Sequence, residues 1–192
     1  MDFKPIGHSG GAKGSDKYWT DQLRKVDITV NNHYTKNFET PHGDFMSDPN
    51  INSLKIINKD LKKTAKTLYR NYPTRNKYIN NLLIRNWLIN YYTDSVYAIG
   101  TFNKNNIISG GTSWVCELAK EADKPVYFFD QDKNDWYLYR KSNTLLEPRF
   151  LLYDDIPKII TKNFACIGTR KINQNGKNAI KDLINANFKK TS

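Results

Sequence analysis

Two cysteines and three histidines are all the thiol and imidazole that the 192 residues contain. Cys116 and Cys166 stand fifty positions apart in apolar surroundings. That is neither a disulfide framework nor a metal-ligand spacing, so both read as buried small hydrophobes. His8, His33 and His42 complete no zinc-type ligand set, and neither a metal nor a cofactor is expected. No apolar run is long enough for a membrane-spanning helix. The opening Met1-Asp2-Phe3-Lys4-Pro5 lacks a charged-then-apolar leader, which points to an unprocessed cytoplasmic protein. Acidic residues are also scarce, 19 against 30 Lys and Arg, and only four of them are glutamates.

What is present is enough to fold. Hydrophobic residues make up 39% and aromatics 13%, too many for a disordered chain. The length suits one domain with a sheet covered by helices on both faces. The net charge of +11 is uneven: residues 55–85 carry nine positive side chains against Asp60 alone. Such a patch suits a polyanion. The excess of lysine (23 Lys, 7 Arg) together with abundant asparagine equally fits AT-rich coding.

Along the chain, a short strand from Ile6 leads into Ser9-Gly10-Gly11-Ala12-Lys13-Gly14-Ser15-Asp16, and a helix follows over Lys17–Arg24. Val26–Val30 reads as a second strand and 31–52 as an irregular excursion. Leu54, Ile57, Leu61, Ala65, Leu68 and Tyr72 share one helical face, with Lys55, Lys59, Lys62, Lys63, Lys66 and Arg70 largely opposite and Pro73 as the stop. A second helix, Lys77–Tyr92, is apolar nearly all round and should be largely buried. Strands are expected at Ser95–Thr101, Pro125–Asp130 and Phe164–Ile167, with Trp136–Arg140 extending an edge. Helices are expected at Trp114–Ala122 and Gly176–Phe188. Strands alternating with helices predict an α/β, Rossmann-like fold with a mostly parallel sheet.

Three strand-to-helix turns are rich in glycine or small residues: 9–16, 109–113 and 168–170. In a parallel sheet all three fall at the carboxyl edge. Glycine lets a ligand approach the backbone, and a helix N-terminus offers unpaired N–H groups to phosphate. Ser9, Gly10, Gly11, Gly14, Gly110, Gly111, Thr112 and Ser113 are therefore candidate phosphate-binding residues. Lys13 and Arg170 would add charge, and Trp19 or Trp114 would stack on a base. Asp16 has two readings, support for its own helix N-terminus or contact with the ligand. Arg85 interrupts an apolar run, so it either serves a buried ligand or makes a structural ion pair. Glu117 reads either as a ribose-binding or acid/base carboxylate or as a solvent-facing helix residue.

The segment Ser9–Asp16 resembles the phosphate loop of the SLOG superfamily, Rossmann-like domains that include the DNA-processing protein DprA and the LOG phosphoribohydrolases. Gly168-Thr169-Arg170 with Gly176-Lys177-Asn178-Ala179-Ile180 resembles the Gly-Ser/Thr-Arg element of DprA. Leu83-Ile84-Arg85-Asn86-Trp87, Asp94–Ile99 and Gly110-Gly111-Thr112 follow the LOG order of catalytic-arginine helix, Asp-headed strand and glycine turn. The set is also similar to uncharacterised phage and bacterial proteins with Ser-Gly-Gly-Ala near the start and Gly-Thr-Arg near the end. In DprA the Gly-Ser/Thr-Arg element comes first and here it comes last, as a circular permutation would place it. Val115 stands where the LOG pattern has its glutamate. The resemblance implies a nucleotide-like ligand, N-glycosidic cleavage with Arg85 and Glu117 as catalytic residues if the protein is an enzyme, and a homodimer. It also implies a second reading, DprA-like binding of single-stranded DNA by the basic helix 55–70 with Tyr69 and Tyr72 stacking on bases.

Overall fold

The computed structural model describes residues 4–36, 42–141 and 149–188. The first three residues and 37–41 of the expected excursion lie outside them. Eight strands form one sheet: β1 (Ile6–Ser9), β2 (Thr29–Tyr34), β3 (Phe45–Met46), β4 (Ser95–Gly100), β5 (Val126–Asp130), β6 (Asp135–Arg140), β7 (Arg149–Tyr153) and β8 (Asn163–Gly168). Among the described residues five helices accompany them: α1 (Ser15–Arg24), α2 (Ile51–Thr67), α3 (Lys77–Tyr91), α4 (Thr112–Glu121) and α5 (Gln174–Phe188). The strand order is β3-β2-β1-β8-β4-β5-β6-β7. Every pairing from β3 to β5 is parallel, and β6 runs antiparallel to both neighbours. This is the mostly parallel α/β architecture that the alternating pattern predicts.

The last strand of the chain, β8, lies between β1 and β4 in the middle of the sheet. It is buried along Phe164, Ala165, Cys166 and Ile167, as a central parallel strand covered on both faces must be. On one face, Trp19 and Leu23 of α1 and Ile180 and Leu183 of α5 pack against Phe164 and Cys166. On the other, Val115, Cys116 and Ala119 of α4 and Ile89 of α3 meet Val96, Ala98 and Ala165. Beyond α3 and α4, α2 adds an outer layer through Ile57, Leu61 and Ala65 against Leu83, Trp114 and Leu118. Those α2 residues are the stripe that the sequence spacing marks. Both cysteines are buried and free, and burial pushes the Cys116 thiol up to about 12. No helix among the described residues is long and apolar enough to cross a membrane.

Asparagine starts both long helices of that face. Asn50 accepts from Ser53 N at 2.8 Å, and Asn76 accepts from Tyr78 N at 2.9 Å and Ile79 N at 3.3 Å, satisfying donors that helix geometry leaves open. Several boundaries differ from expectation, two of them for evident local reasons. The second strand begins at Thr29 rather than Val26, because Val26 and Ile28 both bond back to Leu23 O and Asp27 turns the chain at φ 58°. That strand and β3 fall within the expected excursion. The basic helix stops at Thr67, well before Pro73: Tyr69 takes φ 53° and Arg70 N bonds back to Ala65 O at 2.8 Å, a left-handed helix stop made without glycine. Strand β7 has no counterpart in the sequence reading, so β6 is an inner strand rather than the edge.

Helix α3 is less buried than its composition suggests, with Tyr78, Ile79 and Tyr91 exposed. Arg85, Asn86 and Asn90 lie on its buried side.

Candidate functional site

Strands β1, β8 and β4 run in parallel register, so the turns that follow them leave the same sheet edge. The first and third of these turns are in contact. Gly14 has φ 95°, and a Cβ there would lie 2.5 Å from the Arg170 carbonyl oxygen, so only glycine fits. Ser15 N donates to Thr169 O at 3.0 Å, and Thr169 N donates to Ile99 O at 2.9 Å at the end of β4. One hydrogen-bonded seam thus joins the ends of all three central strands.

Beneath the seam lie a buried carboxyl group, Asp16, and a buried guanidinium, Arg85, each of which feels the other's charge. Asp16 accepts from Gly168 N at 2.9 Å. Burial pushes its carboxyl above the ordinary value, opposed by the Arg85 guanidinium and by the backbone N–H groups of Gly168, Ala12 and Gly10. Arg85 reaches the same place from α3, donating to Gly10 O at 2.6 Å and to Asn86 Oδ1 at 3.0 Å. Its guanidinium lies flat against the loop, and a Cβ on Gly10 would come within 2.6 Å of it. Burial draws Arg85 below its ordinary value, Asp16 pulls it back, and Arg170 adds repulsion. The first glycine turn is thus already closed on the protein's own carboxyl group, with the N–H groups of Gly10 and Ala12 turned towards it. Ser9 is fully buried and Lys13 and Arg170 are exposed.

The turn before α4 is different. Gly110 has φ 71°, Gly110 and Gly111 are exposed, and a Cβ at either would meet nothing within 4 Å. Gly111 is the N-cap of α4 and no side chain caps that helix. Trp114 N bonds to Gly111 O at 3.2 Å, and the N-terminus of α4 lies at this exposed turn, the end of a helix at which an anion is stabilised. Thr112 and Ser113 are buried, and Ser113 Oγ donates to Gly110 O at 2.8 Å. Arg70 Nη1 donates to the same carbonyl at 2.8 Å. The left-handed stop at Tyr69 aims Arg70 here; the sequence shows Arg70 only as one of many cations in a basic run.

Three expected roles do not fit this geometry. Trp19 is fully buried between α1 and the sheet, and Trp114 is 4% exposed between α2, α3 and α4, so neither offers a face to a base. Glu117 is not brought to Arg85. It pairs with Lys120 and lines a separate cavity of about 530 Å³ between α4 and the β6–β7 strands. Gln131, which the sequence does not single out, anchors the β8–α5 turn: it accepts from Asn173 N at 3.0 Å and donates to Lys171 O at 2.9 Å.

A polar pair lies farther along the same face as Arg85. His8 Nδ1 and His33 Nε2 are 2.9 Å apart, and His33 Nδ1 is 3.0 Å from Ser47 Oγ. Burial, then His8 and Arg85, lowers His33 to about 3, and burial lowers His8 as well. Both imidazoles stay neutral in the folded protein at pH values where the unfolded chain takes up protons. The His33 contribution should therefore be full above about pH 6.5 and fall towards pH 3, at up to about 1.4 kcal/mol per pH unit, with His8 acting in the same direction. Urea unfolding of the native protein and of His33→Gln at pH 7 and pH 5 isolates this contribution. The variant should lose less stability between the two values; equal losses would remove His33 from the account.

No protein-family model matches the sequence, and comparison with curated proteins finds no significant match. Among solved structures, the chain is similar to one named "Putative molybdenum carrier protein", from Syntrophus aciditrophicus SB, at TM-score 0.50 and 14% identity, over 95% of this chain and 92% of that one. At that identity the likeness shows a shared fold, the Rossmann-like α/β architecture described above.

Proposed function

We propose that the carboxyl edge of the central strands binds a nucleotide or nucleotide-derived small molecule, with its phosphate on the Gly110–Gly111 turn at the N-terminus of α4. The observation that carries this reading is the contrast between the two glycine turns. The first is closed by Asp16 and Arg85. The second is exposed, has no side-chain cap, and leaves open the space that a Cβ at either glycine would occupy. Arg70 stands on it. The SLOG resemblance supports the same edge. The solved neighbour is named as a carrier, which agrees with holding a small molecule.

Binding is favoured over N-glycosidic cleavage, because Arg85 is buried and bonded to Gly10 O and Asn86 Oδ1 while Glu117 faces another cavity. A protein that holds rather than cuts a nucleotide sequesters or senses it. The test is thermal unfolding with nucleoside monophosphates and ADP-ribose. A ligand at a hundred times its Kd stabilises by about 2.7 kcal/mol, a rise of a few degrees. Gly111→Asp should abolish that rise by placing a carboxylate where phosphate binds, while stability without ligand changes by less than about 0.5 kcal/mol, since the position is exposed and open. No rise with any of these compounds, or an undiminished rise in the variant, contradicts the reading.

One observation favours a second reading, DprA-like contact with single-stranded DNA. Lys55, Lys59, Lys62, Lys63 and Lys66 are exposed along α2, and Tyr69 is 89% exposed at its end. Tyr72 is less available, donating to Asn58 Oδ1 at 2.7 Å. Replacing Lys59, Lys62, Lys63 and Lys66 by glutamine should reduce the slope of log K against log salt by about 3 on single-stranded DNA. An unchanged slope removes α2 as the contact.

A further inference from the structure

The cavity that Glu117 lines is not accounted for by the phosphate turn alone. Its volume, about 530 Å³, is in the range of sites for small organic ligands. Four of its side chains are aromatic: Phe102, Tyr137, Tyr139 and Phe150. All four are partly exposed rather than buried in the core. Phe102 lies 5.2 Å from Tyr137 and 5.6 Å from Phe150, and Tyr139 lies 5.5 Å from Phe150, centroid to centroid. Lys120 Nζ stands 4.7 Å over the Tyr139 ring, and Lys133 Nζ 5.3 Å over Phe102. Among the described residues of the lining, Lys120, Lys133 and Arg149 are cations and Glu117 is the carboxylate. The walls thus suit a flat ring and the charge suits an anion. Ser113, whose hydroxyl bonds to Gly110 O, is also in the wall, so the cavity opens beside the phosphate turn.

We propose that this cavity receives the nucleobase of the ligand whose phosphate rests on Gly110–Gly111. This rests on the functional reading above and deepens it. The ring lies against Tyr139 and Phe102. Glu117 and Lys120, side by side and paired with each other, meet a base edge that presents a donor next to an acceptor. The stacking surface is then supplied by β6, β7 and the 101–108 segment, and not by a tryptophan.

The experiment is isothermal titration of the full chain with AMP, GMP, CMP and UMP, and with ribose 5-phosphate as the probe that lacks a base. At least one nucleotide should bind tenfold or more tightly than ribose 5-phosphate. Tyr139→Ala and, separately, Lys120→Gln should bring that nucleotide to the level of ribose 5-phosphate, whose own affinity stays unchanged. Lys133→Gln replaces Tyr139→Ala should the latter not fold, as judged by circular dichroism. Nucleotide affinity that survives the cavity variants but falls with Gly111→Asp overturns this inference and leaves the phosphate turn standing. Nucleotides that bind no more tightly than ribose 5-phosphate overturn it as well. Absence of binding by all five compounds takes both readings down together.

Discussion

Replacing Arg85 by alanine is expected to cost about 3 kcal/mol of stability, because a buried guanidinium that bonds Gly10 O and Asn86 Oδ1 and offsets the Asp16 charge is lost. The guanidinium is 5% exposed and is the cation that faces the Asp16 carboxylate beneath the first glycine turn. Its removal leaves Asp16 buried without that cation and Gly10 O without its 2.6 Å donor. The effect has a signature beyond its size. With Arg85 gone, burial acts on Asp16 unopposed by that charge, and the folded-state pKa moves further above the unfolded value. A carboxyl of that kind destabilises at neutral pH and recovers as pH falls, since the folded form then binds the proton more readily. The gap between native protein and Arg85→Ala should therefore narrow from pH 7 to pH 5, in urea unfolding at each pH. Adding Asp16→Asn to Arg85→Ala should restore part of the loss, because the residues are coupled. A loss below about 1 kcal/mol, or a gap independent of pH, means that the pair does not brace the seam.

Gly14→Ala should have the next largest effect, at least about 2 kcal/mol. Two costs fall on one position. At φ 95° an alanine is strained in any surroundings, and its Cβ would lie 2.5 Å from the Arg170 carbonyl oxygen, a backbone atom that moves only with the β8–α5 turn. Gly111→Ala is the internal control: it adds the same methyl group at an ordinary backbone angle with nothing within 4 Å. Chemical denaturation of the two variants side by side should leave Gly111→Ala near the native midpoint and shift Gly14→Ala far below it. Similar midpoints would mean that the first and third turns do not meet as described.

Much of the scaffold is legible in the residues because local signals and burial agree there. The apolar stretches of β4, β5 and β8 are central strands, and the three-four spacing from Leu54 to Leu68 is the buried face of α2. The carboxyl-edge placement of the three turns follows from parallel pairing alone. What escapes the sequence depends on contacts distant along the chain. Arg70 and Gly110 are 40 residues apart, and the left-handed turn that joins them uses Tyr69 where a glycine would have signalled it. Glycine content marks 9–16 and 109–113 as equivalent, but Asp16 and Arg85 close one and leave the other open, and 75 residues separate Arg85 from Gly10. The tryptophans mislead for a plain reason: a large aromatic side chain beside a glycine turn packs into a core as readily as against a ligand. Strand β7 is hidden because Leu151 and Leu152 are both exposed, so its sequence shows no alternation to read.

In the proposed complex the turn before α4, rather than the loop after β1, receives the ligand's phosphate. Backbone amide NMR of the full chain, titrated with the nucleotide that gives the largest thermal shift, distinguishes the two turns. Saturable shifts are expected to be largest at Gly110, Gly111, Thr112 and Ser113, small at Gly10 and Ala12, and absent in Gly111→Asp. Shifts confined to the first glycine turn or to the lysine face of α2, with residues 110–113 unmoved at saturation, would contradict it.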